Sequence, residues 1–337
     1  MKSLKVLITA AGTVTCQSII KGFRQQQELD VCITTVDASP LSAGRYFADR
    51  FFLIPSAPDP AYLPALFEIV EREGIQLLIP ILDEEFMKLA QSRDEFERRG
   101  CRVVISSPET IAICNHKDKT SQFFSANGIA TPKAWRADEL PEPDRIPYPI
   151  LVKPRSNGRG SVGVHKICNA AEFLLWKDRV QDPLYNEFVD GEEYTIDVLC
   201  DFDGRVQAVL PRRRIEIKAG VSYKGLTVRD PEMIRVGKLI AERVGIVGPA
   251  NIQCFKTDRG LVFFEINARF SGTLAFSIAA GLNSPLLLAK CALGEKLQRR
   301  IDDFEDGLMM LRYWDEIFVH NGDKPRRVAI PLGEQGR

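Results

Sequence analysis

Residues 261–272, LVFFEINARFSG, constrain the fold most, because polar side chains alternate there with apolar ones. Side chains of a β-strand alternate between two faces, so Glu265, Asn267 and Arg269 are predicted to share one face. The opposite face is predicted to carry Phe264, Ile266 and Ala268. Buried polar groups need partners, and a carboxylate and an amide followed by a guanidinium suit Mg²⁺ that carries phosphate. An edge strand with a solvated polar face is the plainer alternative.

A glycine-rich hairpin is predicted over residues 148–167, YPILVKPRSNGRGSVGVHKI, which have the pattern strand, turn, strand. Lys153 ends the first strand. Glycines in the loop 155–163 let the backbone approach an anion closely and present N–H groups to phosphate oxygens. The loop residues predicted to do this are Ser156, Gly158, Gly160 and Ser161. The loop matches neither the Walker nor the dinucleotide fingerprint, so alone it is equally compatible with a flexible hairpin.

Together with three other motifs in this order, the hairpin resembles the ATP-grasp superfamily, which includes carbamoyl-phosphate synthetase large subunits and carboxylate-amine ligases. The other motifs are NHKDKTSQFFSANGIATP, NEFVDGEEYTIDV and FFEINARFSG. The resemblance implies an α/β ATP-grasp fold, in which a Rossmann-like parallel α/β domain precedes two α+β lobes that clasp ATP. The predicted units are the N-terminal domain 1–112, the small lobe 113–184 with the glycine-rich loop, and the large lobe 185–337 with the metal and substrate site.

The N-terminal third alternates predicted strands with helices, a pattern typical of a doubly wound parallel sheet. Strands are expected near residues 4–10, 31–36, 51–54, 75–81 and 101–105. Helices are expected over residues 15–26, 60–73 with Asp59 as the cap, and 84–99 closed by Gly100. Asp37 after the second strand offers a nicotinamide dehydrogenase as an alternative, but the first turn, AAGTVT, has one glycine where the dinucleotide fingerprint has three.

Three acids, Asp83, Glu84 and Glu85, directly follow the fourth predicted strand. Open α/β sheets form their ligand crevice at the carboxyl ends of their strands, so these acids are candidates for a substrate contact. They also begin a helix, where Asp83 as the cap and the glutamates beside the helix dipole explain the cluster without any ligand. Helix capping is the plainer interpretation.

The resemblance implies the residues that hold the nucleotide. Counting eleven positions back from the helix-ending Gly128 assigns Lys117 to the α-phosphate and leaves Lys119 as a solvated neighbour. In the segment 186–201, the backbone C=O of Glu187 and the backbone N–H of Val189 would bind adenine. Glu193 would accept from the ribose hydroxyls. Glu192 is a near-equal alternative for that role, because consecutive residues of a strand point to opposite faces.

A hairpin turning at residues 258–260 would bring Gln253 beside Glu265, and the resemblance implies that Gln253, Glu265 and Asn267 bind the metal. Arg269 would then reach the substrate carboxylate or the acyl-phosphate oxygens. Strand alternation in RRRIEIK, residues 212–218, predicts a shared face for a further set of charged residues. That set is Arg212, Arg214, Glu216 and Lys218. Its cations would neutralise charge on the transferred phosphoryl group, although a solvated amphipathic strand is also compatible.

The activity implied by the resemblance is ATP-dependent conversion of a carboxylate to an acyl phosphate, followed by attack of an amine to form an amide. The expected cofactors are ATP and Mg²⁺, with two ions and with Mn²⁺ as an alternative metal. One competing hypothesis is a carboxy-phosphate or carbamate kinase of the carbamoyl-phosphate type, although those subunits carry two tandem copies of this module. A second is a nucleotide-binding regulator without chemistry.

Composition narrows the classes of partner. The chain has 337 residues, 45% hydrophobic and 27% charged, which fits two or three compact units. Lys plus Arg and Asp plus Glu both total 45, and no basic stripe predicts nucleic-acid binding. The absence of a membrane span or signal pattern predicts a cytoplasmic protein, and the eight scattered cysteines are expected to be reduced. The expected partners are a small-molecule carboxylate and amine. The apolar segment 284–296 is predicted as a core helix, with a homodimer contact as the alternative.

Overall fold

The N-terminal domain is built on a parallel five-stranded sheet. The computed structural model describes residues 1–156, 162–297, 301–313 and 315–319. The strands are β1 (Lys2–Ile8), β2 (Leu29–Asp37), β3 (Arg50–Leu53), β4 (Leu77–Ile79) and β5 (Arg102–Val103), in the order β3-β2-β1-β4-β5. The helices are α1 (Val14–Arg24), α2 (Tyr62–Glu73), α3 (Asp83–Gln91), α4 (Arg93–Arg98) and α5 (Pro108–Cys114). The predicted doubly wound parallel pattern is confirmed.

Two predicted helices of this domain differ in detail. The single helix expected over 84–99 is two helices, because the backbone leaves helical geometry at Ser92, with φ −101° and ψ 9°. The helix expected from residue 60 begins at Tyr62, and Ala61 is its N-cap. Asp59 instead closes a local turn, since its carboxylate accepts from the Ala61 N–H at 2.8 Å. Short polar side chains often form such turns in competition with the helix.

The small lobe has a four-stranded antiparallel sheet of order β6-β9-β7-β8. Its strands are β6 (Ala134–Arg136), β7 (Ile150–Pro154), β8 (His165–Ile167) and β9 (Pro183–Glu187), and its helices are α6 (Lys117–Ala126) and α7 (Ala170–Trp176). The predicted boundary at residues 184/185 falls inside β9, which pairs with β7 as far as Glu187. We therefore propose that the small lobe extends to Glu187.

The large lobe is a six-stranded antiparallel sheet of order β14-β13-β10-β11-β12-β15. The strands are β10 (Glu192–Cys200), β11 (Val206–Lys218), β12 (Val221–Thr227), β13 (Pro249–Thr257), β14 (Gly260–Asn267) and β15 (Met309–Leu311). The helices are α8 (Pro231–Val244), α9 (Leu274–Ala279) and α10 (Ser284–Ala292). Helix α8 is delimited at both ends, because the Asp230 carboxylate caps its N-terminus and left-handed Gly245 ends it.

Apolar packing joins the N-terminal domain to the large lobe. Two apolar clusters each contain residues from both units; Leu78 and Ile252, for example, share the first, and both are fully buried. The sheet of the small lobe has a separate cluster around Val152 and Tyr185, whereas its helix α6 contributes Phe124 to the first cluster. The shared cores fix the N-terminal domain and the large lobe relative to each other.

The apolar segment after residue 283 forms α10, which packs against α1 of the N-terminal domain. Leu288 and Ala289 are fully buried, and the Asn283 side chain donates to the Gly22 carbonyl at 2.7 Å. The core-helix prediction is therefore confirmed. Among the described residues, none of the helices combines the length and hydropathy that crossing a membrane requires.

Candidate active site

One face of the large-lobe sheet is polar across four adjacent strands. Strand pairing sets Gln253 opposite both Thr195 and Glu265, and Asn251 opposite both Asp197 and Asn267. Arg212 lies opposite Thr195 from the other side. Residues directly opposite on neighbouring strands share a face of the sheet. We call this surface the polar face: Glu193, Thr195, Asp197, Arg212, Arg214, Asn251, Gln253, Glu265 and Asn267.

The candidate metal ligands lie side by side on the polar face. The half-buried carboxylate of Glu265 has no hydrogen-bond partner among the described residues. The side-chain oxygen of Gln253 accepts from Arg214 Nη1 at 2.9 Å, and that of Asn267 accepts from Arg269 Nη2 at 3.3 Å. No cluster of three or more His, Cys, Asp or Glu side chains suited to a metal occurs in the described ranges. A site with few protein ligands, all of them oxygen atoms, suits a Mg²⁺ ion that takes its other ligands from phosphates. It does not suit a metal that is enclosed by protein ligands alone.

A β-bulge changes the predicted faces of β14. Gln253 pairs with Glu265 but the next residue, Cys254, pairs with Phe263, so Phe264 is an extra residue in the ladder. The ring of Phe264 stacks on Phe255, with the centroids 4.6 Å apart. Phe264 thus lies beside the polar face, and its predicted place opposite Glu265 was wrong. Ile266 and Ala268 are buried as predicted.

Lys153, at the end of β7, faces the metal candidates from the small lobe. The pKa of Lys153 is lowered to about 8, mainly by burial; the negative charge of Glu265 opposes this shift, and the positive charge of Lys117 adds to it. Lys117 begins α6, and its backbone N–H donates to the Arg155 carbonyl at 3.0 Å, whereas Lys119 is exposed. The two lysines predicted to contact phosphates therefore lie near one another and near the metal candidates.

The glycine-rich loop begins beside this lysine pair. Ser156 forms an isolated antiparallel bridge with His116, immediately before Lys117. The remaining predicted loop residues, Gly158, Gly160 and Ser161, lie outside the described residues.

The predicted adenine contacts lie where β9 leaves the small lobe. The Glu187 N–H donates to the Lys133 carbonyl at 2.8 Å, and the Glu187 carboxylate accepts from Arg259 Nη2 at 3.1 Å. Neither the backbone bond to Lys133 nor the side-chain bond to Arg259 involves the backbone C=O of Glu187. Val189 is buried, at 6% exposure.

The structure separates the two acids considered for the ribose. Glu193 lies on the polar face, where it pairs with Arg214. Burial raises the pKa of Glu193, as does the nearby charge of Glu265, while Arg214 opposes the shift. Glu192 is exposed on the opposite face and pairs with Arg213 at 2.6 Å. Of the two, Glu193 is thus the acid near the metal candidates.

The predicted cationic set of β11 is only partly assembled. Arg212 is 2% exposed and donates to Asp197 through Nε at 2.9 Å and Nη2 at 3.2 Å. Arg214 is buried beside it and bonds Glu193 and Gln253. The expectation that Lys218 joins them was wrong, because the pairing skips Ile215 and shifts again after Glu216. Lys218 is solvent-exposed and pairs with Glu216 at 3.2 Å.

Two further acids contact these residues: Asp197, which the sequence did not single out, and Asp83, which it left between a helix cap and a substrate contact. Asp197 is the buried partner of Arg212 and also accepts from the Ser277 hydroxyl. Asp83 was expected to cap α3, but the N-cap is Leu82, and the Asp83 carboxylate accepts from Arg269 Nε at 3.0 Å. The alternation of Asp197 with Glu193 along one strand was a usable signal. No local signal pairs Asp83 with a residue 186 positions away.

Comparison with known proteins defines the class. Residues 179–311 match the family model "ATP-grasp in the biosynthetic pathway with Ter operon", and residues 6–104 match "PylC-like, N-terminal domain". The chain therefore carries an ATP-grasp domain after a PylC-like N-terminal domain.

Individual relatives agree with this assignment. The carbamoyl phosphate synthase large chain of Methanoregula boonei is 25% identical over 88% of this chain, which spans 31% of that protein. The chain is thus about a third of the length of such relatives. The 3-methyl-D-ornithine–L-lysine ligase of Methanosarcina acetivorans is 25% identical over 92% of this chain and 78% of its own. Among solved structures, this chain is similar to the biotin carboxylase domain of Hydrogenobacter thermophilus 2-oxoglutarate carboxylase, which was solved with MgADP and bicarbonate. The two superpose with a TM-score of 0.71 at 17% sequence identity, over 90% of this chain and 73% of that one. This last likeness concerns the fold.

Proposed function

We propose that this protein is an ATP-dependent carboxylate-amine ligase that forms an amide through an acyl phosphate and releases ADP and phosphate. The observation that carries the proposal is that Lys153, from the small lobe, lies near enough to Glu265, from the large lobe, for their charges to interact. A cation from one lobe and an oxygen-rich metal strand from the other are what a bound triphosphate with Mg²⁺ requires. The methanosarcinal relative, named as a ligase of two amino acids, is similar over most of both chains.

The nucleotide would lie between the lobes. Lys117 and Lys153 would hold its phosphates together with Ser156, Gly158, Gly160 and Ser161 of the glycine-rich loop. Adenine would bind at the backbone of Glu187 and Val189, and the ribose at Glu193. The Arg214 guanidinium pairs with Glu193 and donates to the Gln253 side-chain oxygen. Because the ribose and the metal would take these two partners, the guanidinium would turn toward the phosphates when the nucleotide and metal bind.

Gln253, Glu265 and Asn267 would hold Mg²⁺, which would neutralise the phosphate oxygens during transfer; two ions, or Mn²⁺, belong to the same proposal. Arg269 follows the metal strand and would bind the carboxylate that accepts the phosphoryl group, and later the oxygens of the acyl phosphate. Arg212 is held by Asp197, and its Nη2 also donates to Ser271 at 2.7 Å. We therefore assign Arg212 a structural role in shaping the site beside Arg269. Lys218 is solvent-exposed and pairs with Glu216, so it does not share these roles.

A carbamate or carboxy-phosphate kinase is the second candidate, because a carbamoyl phosphate synthase large chain is similar over 88% of this chain. Its phosphoryl acceptor is a small inorganic or carbamate anion, so no amine would be condensed. Both candidates use the same nucleotide site, and they differ in the acceptor on which ADP release depends.

The test is magnesium-dependent ADP release with amino acids and small carboxylates, offered singly and in pairs, and with bicarbonate. The Glu265→Gln variant should lose turnover, because it removes the carboxylate that carries the metal. The matched control is Glu192→Gln, which changes an exposed acid on the opposite face of the same sheet and should leave turnover unchanged.

Release that requires one carboxylate and one amine together, and that is absent in Glu265→Gln, would support the ligase. Bicarbonate that suffices alone would favour the kinase. Turnover that survives in Glu265→Gln would contradict the proposed metal site in either case.

A further inference from the structure

An ion pair joins the N-terminal domain to the residue proposed to bind the acceptor. Arg269 Nε donates to the Asp83 carboxylate at 3.0 Å, and their side chains are 25% and 32% exposed. Two further contacts hold the same guanidinium: Nη1 donates to the Phe270 carbonyl at 3.1 Å, and Nη2 donates to the Asn267 side-chain oxygen at 3.3 Å. A guanidinium has five N–H groups, so these three bonds leave two for a ligand.

Asp83 is itself firmly held. It is the first residue of α3, three residues beyond the loop start that follows β4 (Leu77–Ile79), and its backbone carbonyl accepts from the Asn115 side chain at 3.3 Å. The two preceding N–H groups, of Ile81 and Leu82, donate to the Glu85 carboxylate at 2.8 and 2.7 Å. Because this short loop is fixed on both sides, Asp83 presents its carboxylate at a defined place.

Glu85 anchors this loop to the rest of the domain. Its carboxylate is fully buried and accepts from the Thr9 hydroxyl at 2.7 Å and from the Tyr62 hydroxyl. Thr9 directly follows β1, so Glu85 ties together the ends of the two central neighbouring strands, β1 and β4. Hydrogen bonds to Glu85 thus fix the loop that leads into Asp83, and the Asp83 carboxylate in turn holds Arg269, which also bonds Asn267.

We propose that Asp83 is a positioning residue for the transfer reaction: it fixes the Arg269 guanidinium so that its two remaining N–H groups face the acceptor site. The proposal rests on the ligase or kinase function proposed above. Of the three contacts to Arg269, the one to Asp83 is the shortest and the only one to a charged group. Since the N-terminal domain shares its cores with the large lobe, this pair is a fixed contact and not one made by lobe closure.

The test compares Asp83→Asn, Arg269→Gln and the double variant in ADP release. Asp83→Asn should lower kcat, by up to about 100-fold, because a misplaced catalytic group costs that much. The KM for ATP should stay within about twofold, since Asp83 does not contact the proposed nucleotide site. In the Arg269→Gln background the Asp83 substitution should have no further effect, because the two residues act as one unit.

The matched control breaks another ion pair between the same two units. Lys2 and Glu295 pair at 2.9 Å on the surface, with side chains 57% and 35% exposed, and Glu295→Gln should leave kcat unchanged. Wild-type kcat in Asp83→Asn would overturn the proposal. Losses that multiply in the double variant would also overturn it, since Asp83 would then act on the substrate without Arg269.

A second measurement does not depend on finding the substrates. In protein labelled with ¹⁵N-arginine, the Arg269 Nε–H signal, identified by its loss in Arg269→Gln, should exchange with solvent faster in Asp83→Asn than in the wild type. Unchanged exchange would overturn the positioning role. If no substrate pair or bicarbonate supports ADP release by the wild type, the proposed function fails, while the exchange rates still decide whether Asp83 holds Arg269.

Discussion

Replacing Asp197 by Asn should destabilise the protein strongly, because it leaves a buried guanidinium without a counter-charge. Arg212 is 2% exposed, and the Asp197 side chain is 11% exposed. Asp197 accepts two bonds from Arg212, at 2.9 and 3.2 Å, and one from the Ser277 hydroxyl. An amide at this position keeps the shape but turns an N–H₂ group toward donors. The substitution therefore removes the charge and opposes donor to donor.

The expected loss in the free energy of unfolding is about 3–5 kcal/mol, the range for breaking a buried ion pair by removing one partner. The double variant Asp197→Leu with Arg212→Met should recover most of this loss, because replacing both partners of such a pair by apolar residues is often neutral or stabilising. Recovery would show that the cost lies in the unpaired buried charge and not in a general disturbance of β10.

The assay is urea denaturation followed by far-ultraviolet circular dichroism, with the midpoint and slope compared among variants. Glu192→Gln is the matched control, since Glu192 and Arg213 lie on the same two strands but on the exposed face, with side chains 48% and 43% exposed. An exposed pair of this kind contributes less than about 1 kcal/mol. If Asp197→Asn cost no more than Glu192→Gln, burial of the Asp197–Arg212 pair would have no energetic consequence and the reasoning would be refuted.

Three further predictions concern protonation and packing. Affinity for ADP without metal should fall as the pH rises through about 8, because Lys153 loses its charge there. Lys153→Met should bind ADP with an affinity that does not change over this range. The same pH dependence of ADP affinity in both proteins would contradict this prediction. Burial raises the pKa of Glu85 above its usual 4.5, so near and above that pH the folded state binds more protons than the unfolded state. The free energy of unfolding should therefore fall as the pH rises above 4.5. If the wild type and Glu85→Gln differed by the same unfolding free energy at every pH, this reasoning would be wrong. A Cβ at Gly44 would lie 2.2 Å from the Ala11 carbonyl oxygen. Gly44→Ala should therefore lower the free energy of unfolding, measured by a thermal melt, by about 1–3 kcal/mol. A loss no larger than that of Gly272→Ala, where a Cβ has ordinary contacts, would contradict the packing argument.

The fold could be predicted from the sequence because its signals are local and repeated. The first third alternates apolar strands with helices, and the parallel sheet follows from that order. The boundaries were less predictable. The break at Ser92 depends on how α3 and α4 each pack, and both continue a helical pattern in sequence. Asp59 forms a turn in place of a cap because its carboxylate can satisfy the Ala61 N–H without any helix.

Errors at the site arise from β-bulges. The period of two was applied without interruption from Arg212 to Lys218, but the ladder skips Ile215, and the expected face is lost beyond it. The same occurs at Phe264, which therefore stacks on Phe255 beside the polar face. A bulge adds one residue to one strand only, so its position depends on the partner strand. Alternation within a single strand cannot locate it.

Alternation could nevertheless have found more of the polar face than it did. Glu193, Thr195 and Asp197 alternate in NEFVDGEEYTIDV as Glu265 and Asn267 do in the metal strand, and Asn251 and Gln253 alternate in the strand between them. Polar residues recurring at a spacing of two in three buried strands predict one shared face. Which of them meet is decided by register, because a slip of one residue would turn every polar side chain to the opposite side. The pairing of Gln253 with both Thr195 and Glu265 sets that register. Asp83 differs in kind: its partner comes from another domain, so only the assembled fold could reveal that the carboxylate at the start of α3 bonds Arg269, beside the proposed metal ligands.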